Sequence, residues 1–225
     1  MNERSTLPGA LGIVAALAAG SVVLAAPSAL AQPDATYRNL SGKQELAVVD
    51  NKGYIPAGLG ITDTYVQDFP APGLEILLCY DENFKPLMLP KVPGAWMAMQ
   101  GTGGVGYGVY IHEYDTAKAA QAAGRTMLAT TCAAQGKDPK AGLAQSQRTL
   151  PRRNGSPGLA ITTSYFDDGE LETNESAYRQ VGLAILHVGA TYNGGPDSPL
   201  GKRVRATLPK MLDQLTANYV KAAKS

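Results

Sequence analysis

Apolar positions fall into blocks whose spacing sets the expected elements. The first block, Leu11 to Ala26, reads LGIVAALAAGSVVLAA and is followed by Pro27, Ser28 and the small triplet Ala29-Leu30-Ala31. A short hydrophobic run ending in an A-x-A site has the layout of a secretory signal peptide. It is shorter than the roughly 20 residues that span a bilayer. Cleavage after Ala31 is expected, which leaves a secreted chain with no stable membrane span. No Cys follows the run, so a lipid anchor has no attachment point.

Residues 32–73 read as a partly irregular N-terminal segment. Leu46 to Val49 is a short apolar run before the turn-prone Asp50-Asn51-Lys52-Gly53. Residues 74–225 read as one domain. Leu74 to Tyr80 is a compact apolar run, a strand or short buried segment. Asp81 to Pro93 holds three prolines and reads as loop or edge. Ala95 to Gln100 alternates, and Val105 to Tyr114 is rich in Val, Ile and Tyr, so both read as strands.

Asp115 is placed to cap a helix from Thr116 to about Gln135, with Gly136 as its stop. Ala117, Ala120, Gln121, Gly124, Met127, Leu128 and Thr131 share one face. Arg148 to Arg153, Leu159 to Phe166 and Glu170 to Arg179 are expected strands, the last two joined by an Asp167-Asp168-Gly169 turn. Val181 to Tyr192 reads as a single strand. Leu200 to Ala223 is the second main helix. Pro209 predicts a kink there, or a start delayed to about Leu208. Short links between strands imply antiparallel pairing. The expected fold is α+β: one antiparallel sheet with two main helices on one face.

The chain has 225 residues, 20 of them Lys or Arg against 19 Asp or Glu, for a formal net charge of +1. That balance argues against a nucleic-acid binder, which needs a phosphate-neutralising excess of base. In an oxidising compartment the only two cysteines, Cys79 and Cys132, are expected to pair. The bridge would staple the Ala-rich helix to the Leu74 to Tyr80 segment.

Candidate chemistry is sparse. Gly101 to Gly106 matches G-x-G-x-x-G, but a strand follows where a dinucleotide site needs a helix N-terminus, so it reads as a hairpin turn. His112 and His187 both lie in expected strands, and no G-x-S-x-G accompanies them. No catalytic residue, cofactor or metal site is expected. Asp167, Asp168, Glu170 and Glu172 read as solvated turn carboxylates. Tyrosine is the prominent aromatic, 11 against 3 Phe and 1 Trp. Trp96, Tyr107, Tyr110 and Tyr114 are the candidate lining of a ligand groove, because tyrosine offers apolar area with a hydroxyl.

Glu113-Tyr114-Asp115, the helix that follows with its terminal Cys132, and Tyr178 to Val188 before the last helix form a pattern. It resembles the extracellular sensor domains of actinobacterial receptor Ser/Thr kinases and related secreted or lipid-anchored envelope proteins. The resemblance covers roughly 74–223. It implies an α+β domain with a cleft that binds an extracellular ligand, and it carries no catalytic residues. Those kinase domains usually have four cysteines, where this chain has two. The leading expectation is a secreted, non-enzymatic binding or sensor-like domain of the bacterial cell envelope, whose partner is a small molecule or envelope component. Its rivals are a secreted hydrolase with an unrecognised site and a structural or partner-binding wall protein.

Overall fold

The computed structural model describes residues 37–50, 54, 61–133, 142–167 and 169–224. The signal-like block and the expected helix stop at Gly136 lie outside them. The elements are α1 (Gly42–Val49), β1 (Ile61–Tyr80), β2 (Pro86–Gly101), β3 (Val105–Glu113), α2 (Ala117–Ala129), β4 (Ala144–Arg153), β5 (Ser156–Asp167), β6 (Glu170–Val181), β7 (Ala184–Asn193) and α3 (Pro199–Ala223). The strands form one antiparallel sheet in the order β1-β2-β3-β7-β6-β5-β4. Two meanders meet where β3 pairs with β7, and α2 carries the chain from the middle of the sheet to its far edge.

Strand alternation gives the sheet two apolar faces. Val109 and Ile111 of β3, Ala177 of β6, and Leu186 and Val188 of β7 share a core with Val48 and Val49 of α1 and Leu208, Leu212, Leu215 and Tyr219 of α3. Ile161 of β5, Tyr178 of β6 and Ile185 of β7 point the other way, to Ala120, Ala123 and Met127 of α2. Two helices do share a face, but they are α1 and α3; α2 covers the opposite one. An apolar stripe shows that a helix must pack, not on which side of a two-faced sheet it does so.

Several boundaries differ from expectation, each for a local reason. The Leu46 to Val49 run belongs to α1, whose Ser41 and Gln44 form a reciprocal capping box. Thr116, not Asp115, caps α2, its hydroxyl accepting from Ala119 N. α3 begins at Pro199 behind the Ser198 cap and contains Pro209 within it. Val181 to Tyr192 is two strands, separated by a turn at Gly182 and Leu183. The prolines at 86, 90 and 93 lie in β2, where it has β1 alone as neighbour, since β2 meets β3 only from Gly94 onward. A missing N–H costs no ladder bond at such a free edge.

β1 passes through residue 73 without a break and bends there. Phe69 pairs with Gly94 and Leu74 with Val92, so extra residues are inserted on β1. Gly73 takes φ +76, and a Cβ there would lie 1.9 Å from the Val92 carbonyl oxygen. The bend sends the outer arm, 74–80 with its β2 partner, across the α2-side face. Tyr178 Oη donates to Leu77 O at 3.0 Å. Gln145 on β4, at the far edge, accepts from Tyr80 N and donates to Tyr80 O, both at 2.9 Å.

The Cys79–Cys132 disulfide joins this arm to the segment after α2, with Cα atoms 5.7 Å apart. Gln147 of β4 braces the same segment, accepting from Cys132 N and donating to Thr130 O. The arm is thereby tied at its far end to both α2 and the sheet.

Candidate functional site

Between the arm and the sheet lies a groove of about 800 Å³. Its floor is built by register. Trp96 pairs with Tyr110, Tyr110 with His187 and His187 with Tyr178, on four neighbouring strands. All four side chains leave the same face and form one row of rings. Centroid separations are 5.9, 4.6 and 4.4 Å along the row, with planes 9, 13 and 22° apart.

Two residues along each strand, on the same face, Gly108 pairs with Gly189 and Gly189 with Ser176. The rings lean over these small positions: a Cβ on Gly108 would lie 2.4 Å from the Tyr110 ring. Beyond them is a polar row. Thr191 donates to Asn174, Asn174 Nδ2 to Tyr165 Oη at 3.4 Å, and Tyr165 to Glu172. The wall is apolar: Leu74, Ile76, Leu77 and Leu78 of the arm, Phe84 at its tip and Ile161 of β5. Leu74, Leu77 and Phe84 are 41, 40 and 58% exposed and form an apolar lip.

The groove's electrostatics are set by burial. His112, 2% exposed, also lines it, and neither ring nitrogen has a hydrogen-bond partner among the described residues. With nothing to hold a proton's charge, burial pushes its pKa down to about 3. Burial first, then the nearness of His112, holds His187 well below its ordinary value. Burial raises the Tyr178 hydroxyl to about 12. Both imidazoles are therefore neutral near pH 7. No Lys or Arg is among the described lining residues; Glu75, paired with Lys91 at 3.8 Å, stands on the exposed arm.

The candidates read from sequence separate. Tyr110 lies in the row at the groove floor. Trp96 ends the row outside the residues that line the groove, stacked on Tyr110 and met edge-on by Tyr65 at 5.8 Å. Tyr107 borders the groove, but its side chain joins the α3-side core. Tyr114 packs with the α2 cluster, its hydroxyl buried and without a hydrogen-bond partner among the described residues. His187, Tyr178, Ser176, Thr163 and Asn174 line the groove without being marked as lining by the sequence pattern. Alternation within each strand gives their common parity, but the register that brings them together is not local.

His187 Nε2 lies 3.3 Å from Ser176 Oγ, the one contact here that looks like nucleophile and base. Among the described residues no carboxylate is hydrogen-bonded to His187 to complete a triad: Glu172 on this face accepts from Tyr165, and Glu75 on the arm pairs with Lys91. Glu175, the adjacent carboxylate, points to the other side, where Thr162 Oγ1 donates to it at 2.8 Å and Arg205 pairs with it at 3.2 Å. A histidine with depressed basicity and no orienting carboxylate is a poor base for serine. Of the acidic cluster, Glu170 accepts from Asn193 and Glu172 from Tyr165, while Asp168 lies outside the described residues.

A smaller cavity, about 310 Å³, lies between Asn39, Glu45, Asp68, Phe69 and Glu113. Burial and the Glu113 charge push Glu45 up to about 8. Glu113 accepts from Leu40 N at 3.0 Å and from Tyr219 Oη at 3.1 Å, which locks α1 and α3 to the end of β3. Its partners are all within the protein, so it reads as a structural carboxylate pair. Among the described residues no group of three or more His, Cys, Asp or Glu is arranged to hold a metal ion. Compared with known proteins, the chain matches no protein-family model and no curated sequence.

Proposed function

We propose that this protein is an exported, non-enzymatic binding domain of the bacterial cell envelope, sensor-like in type, which holds its ligand in the groove between the β1 arm and the sheet. The observation that carries the reading is the groove itself. It is a cavity of about 800 Å³ with an apolar wall, a floor of aligned rings and a few convergent polar groups, the composition of a small-molecule site. Export is supported by the signal-like N-terminus and by a disulfide that belongs in an oxidising compartment.

The hydrolase reading has the Ser176–His187 contact in its favour. The neutral, carboxylate-less histidine weighs against it.

Native mass spectrometry of protein recovered gently from culture medium tests the proposal. Wild type is expected to carry an additional small-molecule mass. The Ser176→Phe variant, whose new ring fills the groove, is expected to lack it. Equal ligand retention by both, or none by wild type, would contradict the reading.

A further inference from the structure

The groove's chemistry narrows what it can hold. Its deep end is His112, buried, lining the cavity, and with both ring nitrogens unpartnered among the described residues. Buried polar atoms normally find a partner. A neutral imidazole gives one hydrogen bond and accepts one.

The rings of the floor stand on edge. Tyr110 lies between Trp96 and His187, and His187 between Tyr110 and Tyr178, with ring centroids 4.4 to 5.9 Å apart, so both faces of Tyr110 and His187 and one face of Tyr178 are covered. A ligand in the groove meets C–H edges. Cations and sugar rings use aromatic faces, and those of Tyr110 and His187 are taken by their neighbours, while the Glu75 carboxylate on the arm is paired with Lys91 at 3.8 Å. Anions find no Lys or Arg among the described lining residues. The exposed lip of Leu74, Leu77 and Phe84 continues the apolar wall outward, which suits entry of a sparingly soluble molecule.

We infer that the ligand is a neutral, slender amphiphile: an apolar body along the ring edges and the β1 arm, with one hydroxyl- or carbonyl-type group reaching His112. This inference rests on the groove being the binding site.

Four probes separate the possibilities: decan-1-ol, decanoate, decylammonium and maltotriose. The sole tryptophan, Trp96, stacks on Tyr110 and reports occupancy by its fluorescence. At pH 7 the full chain should bind decan-1-ol at least tenfold more tightly than either charged analogue, and maltotriose should not register. His112→Leu should weaken decan-1-ol at least threefold. His112→Gln, which restores a donor and an acceptor, should recover most of that loss.

If decanoate, decylammonium or maltotriose binds as tightly as decan-1-ol and Ser176→Phe blocks it, the ligand class is wrong and the groove stands. If decan-1-ol binds equally to wild type and Ser176→Phe, the groove assignment itself fails. Unchanged affinity in His112→Leu removes the proposed anchor, and silence from all four probes overturns the inference.

Discussion

Tyr110 on β3 and His187 on β7 stand in direct register with ring centroids 4.6 Å apart and planes 13° apart. This stack sits at the join of the two meanders, so it is both a structural seam and the centre of the groove floor. Its geometry depends on the absence of a side chain at Gly108. Trp96 and His187 hold the Tyr110 ring from both sides, so it cannot swing clear of an added methyl.

Gly108→Ala should therefore destabilise the fold by about 1–3 kcal/mol, the usual cost of overpacking. In a Tyr110→Ala background, where the clashing ring is gone, the same change should cost much less. A double-mutant cycle by urea denaturation measures the coupling. Additive effects would mean that the ring does not lean over Gly108.

The disulfide closes a loop with a sequence separation of 53, worth about 4 kcal/mol by chain entropy. Cys79→Ser with Cys132→Ser should lower stability toward that extent. It should also free the β1 arm first, since the arm's remaining ties include the Tyr178, Gln145 and Gln147 hydrogen bonds described above. Limited proteolysis should then cut near residues 81–85 before other sites. An unchanged cleavage pattern would show that those bonds suffice.

Buried ionisable groups set opposing limits on pH. The folded-state pKa of His112 is about 3, against 6.5 for an ordinary histidine. Between those values the unfolded chain binds a proton that the native state does not. Its contribution is complete above 6.5 and is lost as pH falls toward 3; His187 acts in the same direction. Glu45 is raised from 4.5 to about 8. Its contribution is complete below 4.5 and is lost as pH rises through 8, and burial shifts Glu113 the same way. Stability should peak at about pH 5 to 6.5 and decline on both sides by an amount on the order of a few kcal/mol. Urea midpoints across pH check this. Glu45→Gln should flatten the alkaline limb, and a wild-type curve that rises steadily from about pH 5 to 8 would contradict the assignment.

The Ser176–His187 contact should not make a serine nucleophile. A fluorophosphonate probe, which labels activated serines, should leave Ser176 unmodified in intact-mass measurements, and Ser176→Ala should retain any co-purified ligand. Stoichiometric labelling at Ser176 would establish the hydrolase.

How far the sequence carries toward this site depends on the range of the interaction. Val105 to Tyr114 shows its strand in its own β-branched and aromatic residues, and alternation puts Tyr110 and His112 on one face, opposite Tyr107. That Tyr110 meets His187 depends on the β3–β7 pairing between two meanders, which no local pattern contains. The turn at Gly182 is hidden because apolar residues continue through it on both sides. α1 escapes the periodic reading because only a few apolar residues mark its buried side; its capping box, Ser41 with Gln44, is the available signal. The arm's path over the sheet depends on the residue 73 bend and on Gln145 at the far edge, whose neighbours in sequence look like an ordinary polar strand. The Cys79–Cys132 pairing is legible because two cysteines allow one pairing.

The most direct measurement is an NMR titration of isotope-labelled protein with decan-1-ol, following backbone and imidazole resonances. The chain has two histidines, so the two ring systems are easily told apart. The account predicts that the largest changes fall on His112, His187, Tyr110, Ser176 and Thr163, with the α3 residues Leu208 to Tyr219 unmoved. Changes centred on α3, or none at the two imidazoles, would contradict it.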